Sequence, residues 1–137
     1  MHYTVQGFTG KRYRNLVAFA QAYITLLKLE KTSGNLFIIA DTDPKNMGRA
    51  VDTECGEYIV FLNPKFDTNQ LCQTLAHEMV HVKQYSKGQL KLKTKGVFWC
   101  GKLFPYESQV RYTERPWEID AMKRETLLHY AAMEMVS

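Results

Sequence analysis

The chain is poor in the features that mark several broad protein classes. It has only three cysteines, Cys55, Cys72 and Cys100, far apart and without a C-x-x-C pair. That excludes a disulfide framework and a cysteine-based zinc site, and it predicts reduced thiols in a cytoplasmic protein. No window reaches the ~18–20 consecutive apolar residues of a membrane span, so no membrane partner is expected. The opening MHYTVQGFTGKRYRN holds no apolar core of a secretory leader. Four prolines and eight glycines are scattered without forming a linker, and there is no repeat or low-complexity tract. A single domain over residues 1–137, long enough to bury a core, is the expectation, as a monomer. Excess charge is also small. A net +4 is compatible with a polyanion partner but does not argue for one alone.

What is present reads as an α+β chain. In residues 11–31, Tyr13, Val17, Ala20, Ile24 and Leu27 recur at helical spacing, with Thr9 before them as a cap and TSG at 32–34 as the stop. LFIIA at 36–40 is a short strand. GRAVD and EYIVFL flank ECG at 54–56 as a hairpin, which predicts a small, mostly antiparallel sheet. A second helix over 68–87 is well punctuated. Asp67 and Gln70 have capping-box spacing, Lys83 and Lys87 suit the last turns, and Gly88 suits the C′ position. Its apolar stripe is Leu71, Leu75, Met79 and Val82. Residues 89–112 predict a strand or hairpin. A last helix starts with Pro116 at N1 and buries Trp117, Ala121, Leu128 and Ala131 or their neighbours.

The second helix carries HEMVH: His77, Glu78 and His81. Histidines at i and i+4 lie about 5–6 Å apart at Cβ and can converge on one metal ion. Glu78, about 100° around the helix, can reach a water beside the metal without ligating it, as the general base of the H-E-x-x-H motif does. The plain alternative is a wet polar helix face. Leu75, Ala76, Met79 and Val80 argue against that, because buried unpaired polar groups cost about 1–3 kcal/mol each.

A catalytic zinc takes three protein ligands and keeps one open position. The extended form H-E-x-x-H-x-x-G-x-x-H fails, since Gln84 replaces the glycine and Lys87 the last histidine. The third ligand must therefore come from a distant segment. Glu107, Glu114, Glu118, Asp120, Glu125 and His129 are the candidates. Glu118 leads, as a carboxylate in the first turn between Trp117 and Ile119, with Asp120 second. Glu118 at N3 would also suit the helix dipole, but Arg115 at the N-cap cannot complete a capping box. His129 lies ~16 Å further along the axis and reads as a surface or core residue.

HEMVH followed downstream by EIDA resembles the glutamate-type zincins, or gluzincins. WCGKLFPYESQVRYTERPWEIDAMKRE is more narrowly similar to small phage and bacterial SprT-like metallopeptidases. The resemblance spans about 58–125. It implies a minimal zincin fold, with a backing helix on the sheet, the HExxH helix beneath, and a C-terminal glutamate helix closing the site. It implies one Zn2+ on His77, His81 and Glu118, with Glu78 as catalytic acid and base acting on a protein or peptide. It also implies an edge strand near Glu57–Leu62 that holds an extended substrate. A phage origin would place the chain in the host cytoplasm. The chain departs from the pattern in having Asp120 where Glu is usual and Met122 where larger gluzincins brace the first histidine with Asp. The partner of His77 is thus unassigned. SprT itself uses a third histidine that this chain lacks, so its substrates do not carry over.

An oxyanion-steadying donor is also needed. Tyr112 is the candidate catalytic residue for that role, with Tyr106 and Arg111 as further donors nearby; packing or surface exposure is the plain reading of each. Lys87, Lys91, Lys93 and Lys95 cluster beyond the motif. They read as a solvated face, or as an edge facing nucleic acid. Two rival readings stand beside the peptidase: a binding module stapled by a non-catalytic zinc, and a phage accessory protein with a vestigial motif.

Overall fold

A computed structural model describes residues 1–108 and 110–137. The chain opens with strand β1 (His2–Gln6), helix α1 (Gly10–Leu26) and strand β2 (Asn35–Ala40). Because α1 crosses over the sheet between them, β1 and β2 run parallel, with Tyr3 opposite Leu36 and Val5 opposite Ile38. The hairpin follows as β3 (Gly48–Asp52) and β4 (Glu57–Leu62), antiparallel as expected. β4 returns beside β2, again parallel, and the sheet order is β1-β2-β4-β3. The expected small antiparallel sheet is therefore a mixed one, with two of its three pairings parallel. The α1 crossover sets the β1–β2 direction, and the passage to β3 at the far edge before β4 sets the β2–β4 direction; no local residue pattern announces either.

One face of this sheet is the core. Leu36 and Ile38 on β2 and Val60 and Leu62 on β4 are fully buried, at alternate positions on one side. Helix α1 packs Leu16, Phe19, Ala20, Tyr23 and Ile24 into the same cluster. That stripe is rotated from the expected one, and Tyr13 is exposed. The helix also stops before the TSG. Lys28 takes a left-handed conformation (φ 59°), and the Leu29 N–H closes on the Ile24 carbonyl at 2.8 Å.

Helix α2 (Thr68–Ser86) starts and stops where its punctuation predicts. The Asp67 carboxylate accepts from the Gln70 N–H at 2.8 Å, and the Gln70 side chain accepts from the Asp67 N–H at 3.2 Å. At the other end Gly88 (φ 73°) lets the Gln89 N–H reach the Gln84 carbonyl at 2.9 Å. Leu71, Leu75, Met79 and Val82 are all buried.

Beyond α2 come β5 (Leu90–Lys93), β6 (Gly96–Trp99) and β7 (Lys102–Pro105), a separate antiparallel sheet. It forms a satellite core of Leu90 and Val97 against Trp117. Helix α3 (Pro116–Val136) lays Ala121, Leu128 and Ala132 against the main core, with Ala132 rather than Ala131 facing inward. The three thiols are free. No helix of the described residues is long and apolar enough to cross a membrane. The lysines at 87, 91, 93 and 95 are exposed, and Lys93 pairs with Glu54 at 3.6 Å.

Candidate metal centre

Helices α2 and α3 meet at a cluster of three side chains. One turn of α2 separates His77 from His81, whose rings meet edge to face with centroids 4.9 Å apart. The first turn of α3 aims Glu118 between them. Its Oε1 lies 3.1 Å from His77 Nε2 and 2.9 Å from His81 Nε2. The candidate ligand atoms of these residues all lie within 4.8 Å of one another, so the group could hold a metal ion. Of the candidates weighed for the third position, Glu118 alone joins the two histidines.

The others are engaged elsewhere. Asp120 accepts from Gln84 Nε2 at 2.9 Å and from Arg124 Nε at 2.7 Å. Glu107 and Glu114 are exposed outside the cluster. His129 is buried in the main core, stacked on Phe19 and 3.2 Å from the Tyr23 hydroxyl. That hydroxyl donates to the Cys72 carbonyl, so its oxygen accepts from His129 Nδ1–H. Glu125 stands behind His77, its Oε1 3.4 Å from Nδ1, where it supplies the bracing partner the sequence left unassigned. Gln84, unremarked in the sequence beyond its failure to be glycine, is fully buried with Oε1 2.8 Å from His81 Nδ1. Its i+3 position after a candidate ligand was the available signal.

Charge in the cluster is strongly coupled. Burial alone would favour a neutral His77, but hydrogen bonding to Glu118 and the fields of Glu78 and Glu125 outweigh it and raise the group to about 9. His81 is raised against its burial by Glu118 in the same way. Burial pushes Glu118 up, yet the hydrogen bonds from both histidines hold it far below the usual carboxylate range. Glu78, 6% exposed, is raised by burial and accepts no hydrogen bond among the described residues. A cation between the rings would take over the neutralising role that protons otherwise fill.

Tyr112 hangs over this group from a short 3-10 turn. Its hydroxyl lies 3.4 Å from His77 Nε2, and burial, then the hydrogen bond to Glu118, raises its pKa, so it stays an O–H donor. Tyr106 donates to the Lys93 carbonyl at 2.8 Å instead. Arg111 is exposed before the turn.

The cluster floors a cleft of about 710 Å3. Met47, Gly48 and Ala50 line it, as do Leu90, Leu92 and Tyr112. Gly48 permits the approach of β3 to α2. A Cβ there would sit 2.8 Å from Thr74 Cγ2 and 3.4 Å from Glu78 Cγ. The strand at the cleft is thus β3, which corrects the expectation of an edge near Glu57–Leu62. β4 is covered on both sides, by β2 and β3. The Met47 carbonyl bonds to the Asn63 N–H and the Thr53 N–H to the Glu57 carbonyl. Backbone groups alternate in an antiparallel pair, so Gly48 and Ala50 turn their N–H and C=O groups away from β4, to the free edge.

No protein-family model matches the chain, and no curated protein or solved structure matches it.

Proposed function

We propose that the chain is a zinc-dependent metallopeptidase that hydrolyses a peptide bond in a protein or peptide lying along β3. The observation that carries the reading is the meeting of His77 Nε2, His81 Nε2 and Glu118 Oε1 in an open cleft, beside a buried Glu78 that accepts no hydrogen bond among the described residues. The donor set suits zinc: two imidazole nitrogens and one carboxylate, which leaves a fourth position free. The two histidine–carboxylate separations are 3.1 and 2.9 Å, and all the candidate ligand atoms lie within 4.8 Å of one another. The likeness of HEMVH and EIDA to the gluzincins points the same way.

When bound, zinc supplies a Lewis acid that lowers the pKa of water toward ~7 and polarises a carbonyl. Glu78 takes a proton from the attacking water as its oxygen bonds to the scissile carbon. It returns that proton to the amide nitrogen as the C–N bond breaks, and the second proton of the water follows to the amine, so the products are a carboxylate and an ammonium group. Tyr112 O–H donates to the oxygen that gains charge. Gly48 and Ala50 offer main-chain groups to the substrate backbone.

A second reading is a structural staple, since Glu118 ties α3 to α2 through the same atoms. Glu78→Gln separates the two. The peptidase keeps zinc and fold and loses cleavage of an unfolded protein substrate. A wild-type protein that holds stoichiometric zinc but cleaves no peptide in a broad library favours the staple.

A further inference from the structure

Gln84 is fully buried on α2, one turn after His81. A buried carboxamide brings two N–H donors and an acceptor oxygen, and each costs about 1–3 kcal/mol if left unpaired. Here the network is complete. Nε2 donates to the Trp117 carbonyl at 2.9 Å and to Asp120 Oδ2 at 2.9 Å, while Oε1 faces His81 Nδ1 at 2.8 Å. The orientation of an amide is decided by its partners. A main-chain carbonyl can only accept, and so can the Asp120 carboxylate, whose other oxygen takes the Arg124 N–H at 2.7 Å. Flipping the amide would set oxygen against both. Oε1 must therefore face His81, and His81 Nδ1 must carry the proton. With Nδ1 holding its proton, loss of the Nε2 proton that hydrogen-bonds Glu118 at 2.9 Å leaves a neutral imidazole whose lone pair is on Nε2.

We propose that Gln84, locked by the Trp117 carbonyl and Asp120, is a positioning residue that fixes the His81 tautomer and presents Nε2 as a ligand. This role rests on the metal-site reading above. It makes the two histidines unequal. At Nδ1, His77 meets Glu125 at the longer distance of 3.4 Å, whereas His81 Nδ1 is held by a chain running through Gln84 and Asp120 to Arg124. Three side chains and one main-chain carbonyl are thus spent on orienting a single ring.

The test compares zinc affinity, by competition with a chelator, and the imidazole resonances of the zinc-loaded full chain. Wild type should show His81 ligated through Nε2, with a slowly exchanging Hδ1. Gln84→Met, which keeps the volume and loses the amide, should bind zinc about 10–100-fold more weakly and lose that resonance. Ligation of His81 through Nδ1 in wild type overturns the proposal without any variant having to fold. So does equal zinc affinity in wild type and Gln84→Met. A wild-type chain that takes up no zinc overturns the metal-site reading itself, a separate outcome.

Discussion

Glu118 Oε1 lies 2.9 Å from His81 Nε2, across the α2–α3 contact and 37 residues apart in the chain. It touches His77 Nε2 as well, so one carboxylate joins both rings. Removing it leaves two histidines, too few for tight zinc. Wild type should gain about 2.7 kcal/mol of stability at free zinc 100 times the dissociation constant, a rise of several degrees in Tm. Glu118→Ala should lose most of that gain. Thermal melts with and without zinc check this, and an equal shift in both proteins would remove Glu118 from the site.

Tyr112 is half exposed and makes its closest polar contact at the cluster. Tyr112→Phe should therefore leave fold and zinc affinity unchanged while lowering kcat about 10²–10³-fold, the usual cost of one oxyanion donor. A change confined to KM would place the hydroxyl on the ground-state substrate instead.

Ala50 tests the substrate edge. Its N–H points away from β4, so a proline there removes an outward donor without breaking the sheet ladder. Ala50→Pro should retain zinc and lower kcat/KM roughly two- to tenfold, the worth of one hydrogen bond of about 0.5–1.5 kcal/mol. An unchanged kcat/KM would mean that the substrate does not pair with β3.

The helices were more legible in the sequence than the sheet. The Asp67–Gln70 box and Gly88 mark both ends of α2 through local chemistry, and the same bonds form in the fold. Glu118 was legible because a carboxylate between Trp117 and Ile119 needs a partner. The strand β1 was not, because HYTVQ is exposed or half-buried throughout and owes its strand to pairing with β2. Which strand forms the cleft edge was equally hidden, since order across a sheet is not a property of any one segment. Lys28 stops α1 in a left-handed conformation that its residue type does not advertise, whereas the nearby Gly34 suggested a later end. Gln84 acquires its role only from Trp117 and Asp120, 33 and 36 residues away.

His129 gives a pH test independent of the cluster. Burial lowers its pKa below the ordinary 6.5. The unfolded chain therefore binds more protons than the folded one between the lowered value and 6.5, and stability falls as the pH drops through that window. It is fully present above 6.5. His129→Gln can still donate to Tyr23 but does not titrate. Urea unfolding at pH 7 and pH 5 should show a smaller acid loss in the variant than in wild type. Equal losses would show that His129 titrates alike in both states.

The proposed chemistry turns on Glu78, buried beside both histidines yet bonded to neither. The most direct measurement is peptide cleavage by zinc-loaded wild type and Glu78→Gln, with the bound zinc of each sample quantified. Equal zinc content with turnover reduced about 10²–10⁴-fold in the variant is the expected result. Undiminished cleavage by Glu78→Gln at equal zinc content would contradict its assignment as the acid and base.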